Sequence, residues 1–436
     1  MGALSFNLSG NQQVRFLLSF IQVFLFLAAG LFQPALRADV IITEFMADND
    51  SVLADEDGDF SDWIELYNSG TDSVDLEGWY LTDDPEALQS WRFPTRVLEA
   101  GDFAVVFASG KDRAAVGGEL HTSFRLDSSG EYLGLIQRDG VTASHEHGPL
   151  YPSQRENYSY GMEMQGPTVS SERLFFRNPT PGLANSAGFV GFVSDVLFSQ
   201  GSGFFEQSFE VSLQTPTPGA VIRYSRDGST PTPTSGEVYT GPVPVADTTV
   251  LRVAAFLDNH EPSYSDTRTY IFIRTEDGNG GILNQSRRPA GFPWTWGAGI
   301  QADYEMDQDV VNDPAYSDEI ADSFLTLPSL SIISELDDLF HPSTNPAIGG
   351  IYSNSRSSGV RWERPCSMEI IYPDGREGVQ ANCGIRIYGG INRRPDITPK
   401  HTLRLLFKKQ YGPGRLRFPL YPDSEVDSFD TLVLRG

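Results

Sequence analysis

The chain is short of cations, cysteine, histidine and helical periodicity. Its 436 residues hold 32 Lys and Arg against 58 Asp and Glu, a formal charge of −26. That deficit argues against nucleic acid or an anionic membrane as the main partner, because both need a basic surface. Two cysteines decide little by number; their setting decides more. Of the six histidines, His145 and His147 could share one strand face in "SHEHG", but no third ligand stands near enough for zinc. No Ser-His-Asp or paired-carboxylate constellation emerges from the spacing.

What is present starts with a leader. Arg15 precedes the apolar run "FLLSFIQVFLFLAAGLF" (16–32), then "QPALRA", then acidic Asp39. This reads as an export signal over residues 1–38 cut near Ala38, with a membrane anchor as the alternative. The expected location is secreted or cell envelope, with no transmembrane span in the mature chain. That compartment is oxidising.

Beyond the leader, strand signals recur about every ten residues, the rhythm of all-β sandwiches. The expected class is mainly β: two immunoglobulin-like sandwiches, then an incomplete α+β kinase-like domain. Boundaries fall at 39–165 for the first sandwich, 166–188 for a linker and 189–275 for the second sandwich. An irregular acidic lead-in follows at 276–326, and the last domain occupies 327–436. "LDSSGE" (126–131) is expected to be a hairpin turn. The closing "FDTLVLRG" contains a run that reads as a buried strand, so the sequence is expected to be a fragment.

Two stretches resemble known modules. "ITEFMADNDSVLADEDGDFSDWIELYNSGTDSVDLEGWYLTDD" followed by "FAVVFASGKD" resembles the lamin-tail domain of bacterial exported proteins, which implies binding or spacing. "PGAVIRYSRDGSTPT" and "TTVLRVAAF" resemble the small sandwich at the C-terminal end of chitobiase-type enzymes, an accessory module without catalytic residues.

Asp374-Gly375 is a strong two-residue turn signal. If it is the turn, opposed residues have numbers summing to 749, and Cys366 faces Cys383 at a site where strands approach closely enough for a disulfide. The alternatives are two buried thiols, or a bulge near Gly378 that shifts the register.

Residues 386–417 reverse the sign of the chain, with Arg386, Arg393, Arg394, Lys400, Arg404, Lys408, Lys409, Arg415 and Arg417 against Asp396 alone. "GIRIYGG" and "KHTLRLLFKK" alternate so that each strand has an apolar face and a basic one. The loop between them can bring backbone N–H groups and Arg393 or Arg394 to an anion. The plainer reading is a solvated basic face neutralised by the acids of 303–319.

The phrases "GGIYSNSRSSGVRWERPCSMEIIYPDG", "GIRIYGG", "PKHTLRLLFKKQYG" and "LRFPLYPDSEVDSFDTLVLRG" together resemble the N-terminal half of the spore-coat protein H (CotH) kinase family. That resemblance implies transfer of phosphate from ATP, with Mg or Mn, to Ser or Thr of exported proteins. It places Lys400, Arg404, Arg386, Gly389 and Gly390 on the nucleotide phosphates. Tyr388 and His401 depart from the family pattern, where an Arg and a second Lys would stand. No catalytic carboxylate can be placed, since the family's come from later in the domain. The other expected role is a non-catalytic protein whose sandwiches bind a cell-surface glycan or protein.

Asp55, Asp57, Asp59, Asp62 and Glu65 fall within the eleven residues of "DEDGDFSDWIE", a loop of a kind that could hold Ca²⁺ with Asp55, Asp57, Asp59 and Asp62 as its candidate ligands, although the EF-hand pattern fails because Gly58 is at position four. A solvated acidic loop is the plainer alternative. Trp294 and Trp296 of "GFPWTWG" are expected to pack in a core or between domains, with sugar stacking as the alternative.

Overall fold

The computed structural model describes residues 40–435 apart from positions 287, 297, 298, 318, 395, 398–400 and 422. The expected export signal, residues 1–38, and Lys400 therefore lie outside the described residues. The molecule is mainly β, 35% strand against 6% helix, and divides into two compact units, Met1–Val190 and Gly191–Gly436. Among the described residues no helix is long and apolar enough to cross a membrane.

The first unit is a sandwich. Its larger sheet runs in the order Thr168–Phe176, Ser159–Gln165, Val40–Met46, Asp62–Asn68, Phe103–Ala108, Leu120–His121. Its smaller sheet runs Ala143–His147, Leu133–Ile136, Tyr80–Thr82, Trp91–Arg92. Val40, Ile42, Ile64 and Leu66 of one sheet meet Leu81, Trp91, Leu133 and Leu135 of the other in a common core. Alternation predicts a wet outer face on Asp62–Asn68, yet Trp63, Glu65 and Tyr67 are buried as well. The reason is a second cover: Trp63 packs with Met46, Phe107, Val52 and Leu53 on the outer side.

The 126–131 turn forms, with the Gly130 N–H donating to the Asp127 carbonyl. It does not make a hairpin, because Leu120–His121 belongs to the larger sheet and Leu133–Ile136 to the smaller. The turn crosses between layers.

In the second unit a five-stranded sheet (Gly203–Phe205, Asp266–Phe272, Thr249–Phe256, Val221–Ser225, Glu237–Val238) packs on two short ribbons through Val211, Leu213, Val243, Val245, Leu251 and Val253. The described part of residues 276–326 holds short helical pieces, such as Gln308–Val311, which the Asp307 carboxylate caps, and one isolated bridge between Thr295 and Gln301.

An antiparallel sheet follows in the order Ser329–Ile333, Arg364–Ile371, Val379–Ile387, Leu403–Leu406, Thr431–Leu434. It does not stand apart from the sandwich before it. Glu369 accepts hydrogen bonds from Ser202 and Thr269, and the Asn382 amide donates to the Ser265 carbonyl at 3.0 Å. Thr431–Leu434 is a strand, but at the sheet edge and only partly covered, where the sequence suggests a buried one.

The hairpin register sums to 749, with Cys366 opposite Cys383. The expected disulfide is absent: the sulfurs are free thiols 3.4 Å apart, buried among Met368, Ala381 and Ile385. The neighbouring Cys383 thiol and burial push the Cys366 thiol well above its ordinary range. Here two small apolar thiols fill core space, the alternative weighed from the sequence.

Candidate functional site

Strands Val379–Ile387 and Leu403–Leu406 pair so that Arg386 lies directly opposite Arg404. Ile385, Ile387 and Leu405 turn into the core, leaving both guanidinium groups on the other face. Like charges directly opposed destabilise a ladder unless something between or beside them is negative.

The protein supplies part of that charge. Glu363, almost wholly buried, lies 3.7 Å from Arg386 Nη1 and 2.7 Å from Lys408 Nζ. Arg404 is not ion-paired with any carboxylate among the described residues. Its guanidinium lies 5.2 Å over the Tyr388 ring, and Nη2 donates to Thr431 Oγ1 at 3.4 Å. The Nε atoms of Arg386 and Arg404 are buried and have no partner among the described residues.

Other basic residues of the island are used locally. Arg394 pairs with Asp396 and Arg415 with Asp430, while Arg393 donates to the Ser357 carbonyl. The described ion pairs of the island thus run to Glu363, Asp396 and Asp430, not to the acids of 303–319. Gly389 has a φ of +111°, a region that favours glycine, and nothing stands within 4 Å of a Cβ placed on it or on Gly390. The loop carrying them is open to solvent beside the two arginines. His401 is buried and set against Tyr352, with ring centroids 5.2 Å apart. Lys400 lies outside the described residues.

The acidic loop of the first unit has a different character. Oxygens of Asp55, Asp57 and Asp59 lie within 4.8 Å of one another. The Lys111 ammonium sits among them, 2.7, 2.7 and 2.9 Å from the three carboxylates. Arg113 adds bonds to Asp57 and Glu56. The hydrogen bonds and charges of Arg113 and Lys111 hold Asp57 down at about 2. Burial pushes Asp55 up, but Lys111 and local donors hold it below the ordinary carboxylate range. Asp62 is not in the cluster; burial raises it to about 6 while it accepts from the Asn49 N–H. A divalent ion at Asp55, Asp57 and Asp59 would have to displace Lys111.

Trp294 is 72% exposed, not packed in a core, with the Arg288 guanidinium 4.1 Å over its ring. Trp296 donates its indole N–H to the Tyr304 hydroxyl. His145 and His147 are edge-to-face at 5.1 Å, and burial depresses both imidazoles, so neither carries charge near neutral pH.

The sequence reading missed a buried carboxylate pair. Glu44 and Glu65 are fully buried and directly opposed across Val40–Met46 and Asp62–Asn68.

Comparison with known families bears on two of these regions. Residues 33–148 match the Lamin Tail Domain, and residues 200–267 match the Chitobiase/beta-hexosaminidase C-terminal domain. Two such modules in tandem fit a modular extracellular-type protein. Neither match extends to residues 327–436. The chain matches no curated protein.

Proposed function

We propose that the chain is an exported, modular cell-envelope or secreted protein whose last sheet seats the phosphoryl groups of a nucleotide. In this reading residues 327–436 are the first part of a CotH-type kinase domain, which would pass phosphate from ATP, with Mg or Mn, to Ser or Thr of an exported protein. The observation that carries it is the direct opposition of Arg386 and Arg404 beside the open Gly389-Gly390 loop. Two arginines at opposed positions of one ladder suit an anion with several oxygens, because each guanidinium offers planar paired donors. The resemblance adds Lys400, which lies outside the described residues. Phosphoryl transfer also requires carboxylates for the metal and the attacking hydroxyl. The reading assigns none within residues 327–436.

Calorimetric titration with ATP, with and without Mg²⁺, tests the assignment. Arg404→Ala and Arg386→Ala should each weaken binding about tenfold, the scale of one charge-assisted contact. Binding unchanged in both variants, or absent at millimolar ATP, overturns it. The second reading, a non-catalytic binder of surface glycan or protein, is favoured by the exposed Trp294 ring. A silent ATP titration together with binding to a glycan array would select it.

A further inference from the structure

The Glu44–Glu65 pair has no cation among the described residues. Among the described residues no Lys, Arg or His forms an ion pair with either carboxyl, and all the described donors are neutral. Thr43 Oγ1 donates to Glu65 Oε1 at 2.6 Å, and the Ser159 hydroxyl donates to Glu44. The remaining donors come from one segment, "RNPTPGLANSAGF" (177–189), which leads out of the first unit. The Thr180 N–H reaches both Glu44 oxygens at 3.3 and 3.2 Å, and the Gly182 N–H reaches Glu65 Oε2 at 2.7 Å. Asn185, itself buried, closes the seat by donating to the Thr43 and Met162 carbonyls at 3.0 Å.

The surrounding elements bring no compensating charge. Ser159–Gln165 places Gly161 opposite Glu44, and Phe103–Ala108 places Val105 opposite Glu65. Further along the same outer face lie His121, stacked on Phe107, and the Asp55–Lys111 cluster, whose carboxylates are already matched by cations. Two carboxyls so placed cannot both ionise cheaply, because like charges in a dry site repel at full strength.

The geometry points to a proton-controlled latch: a proton held on the Glu44–Glu65 pair keeps residues 179–185 seated on the sandwich, and ionisation of both carboxyls releases them. Burial raises Glu44 to about 7, and burial with the neighbouring Glu44 raises Glu65 to about 8. Both folded values exceed those of a carboxyl free in solution. The seated form therefore binds more protons than the released one, and its advantage, complete in acid, is lost as pH rises through about 7 to 8. Beyond the latch the segment stays anchored, because Phe189 and Phe175 exchange backbone hydrogen bonds, so release opens a loop on the first unit.

Hydrogen exchange of the full chain, read by mass spectrometry over residues 179–185 from about pH 6 to about pH 9, tests this, with rates corrected for intrinsic base catalysis. In the wild type the corrected exchange should accelerate by up to about tenfold per pH unit for each proton lost on opening. Strand Leu403–Leu406, in the other unit, should show no such slope. Glu65→Gln, and independently Glu44→Gln, should flatten it while circular dichroism reports an unchanged β spectrum. A flat wild-type profile, or an equal slope in a folded Gln variant, overturns the latch.

Discussion

Two groups of acids in the first unit meet opposite fates. Asp55, Asp57 and Asp59 surround an ammonium and are driven to ionise, whereas Glu44 and Glu65 face each other among hydroxyls and amides and are driven to keep protons. The difference is access. The loop is near enough to solvent for Lys111 to arrive with its chain extended from the surface, while the strand pair is sealed before any long side chain can reach it. The two groups should fail at opposite ends of the pH scale. The Lys111 cluster loses its contribution as pH falls through the ordinary carboxylate range towards about 2, and the strand pair loses its own as pH rises through 7 to 8.

The comparison can be broken most severely at Gly161. A Cβ there would stand 2.0 Å from the Thr43 carbonyl oxygen and 2.8 Å from Glu44 Cα. Gly161→Ala should cost about 3 kcal/mol or more, near the upper end for overpacking, and should appear as a lowered urea midpoint or as insoluble protein. Next is Lys111→Ala, which leaves the buried Asp55 carboxylate without its cation. A loss of about 1 to 2 kcal/mol is expected after allowing for the partial exposure of the ammonium. The loss should shrink in acid, where Asp55 and its neighbours take up protons, and a denaturation series from neutral to acid pH checks this. Arg113→Ala should change least. Its partners are exposed, so the melting temperature should hardly move.

Much of the fold was legible because it is local. Alternation and turn residues mark the strands, and Asp374-Gly375 fixes the hairpin register that sets Cys366 against Cys383. The two-faced character of residues 385–388 and 403–407 was legible for the same reason, which is why Arg386 and Arg404 were found. What escaped depends on distant chain segments. Glu44 and Glu65 oppose each other only after a bulge between Ile42 and Glu44 shifts the register, and Thr180 comes from 136 residues away. Lys111 comes from 56 residues beyond Asp55, and Glu363 lies outside the basic island it helps to balance. Trp294 failed for another reason: aromatic residues favour cores on average, but an arginine can cover a ring at the surface.

Glu369 carries a consequence for how the second unit holds together. The acid belongs to one fold, and the hydroxyls of Ser202 and Thr269 that satisfy it belong to the other. Cutting the chain within the intervening segment would strand a dry carboxyl on one piece and idle donors on the other. The two folds thus share one buried polar seat, and separating them would leave both halves of it incomplete.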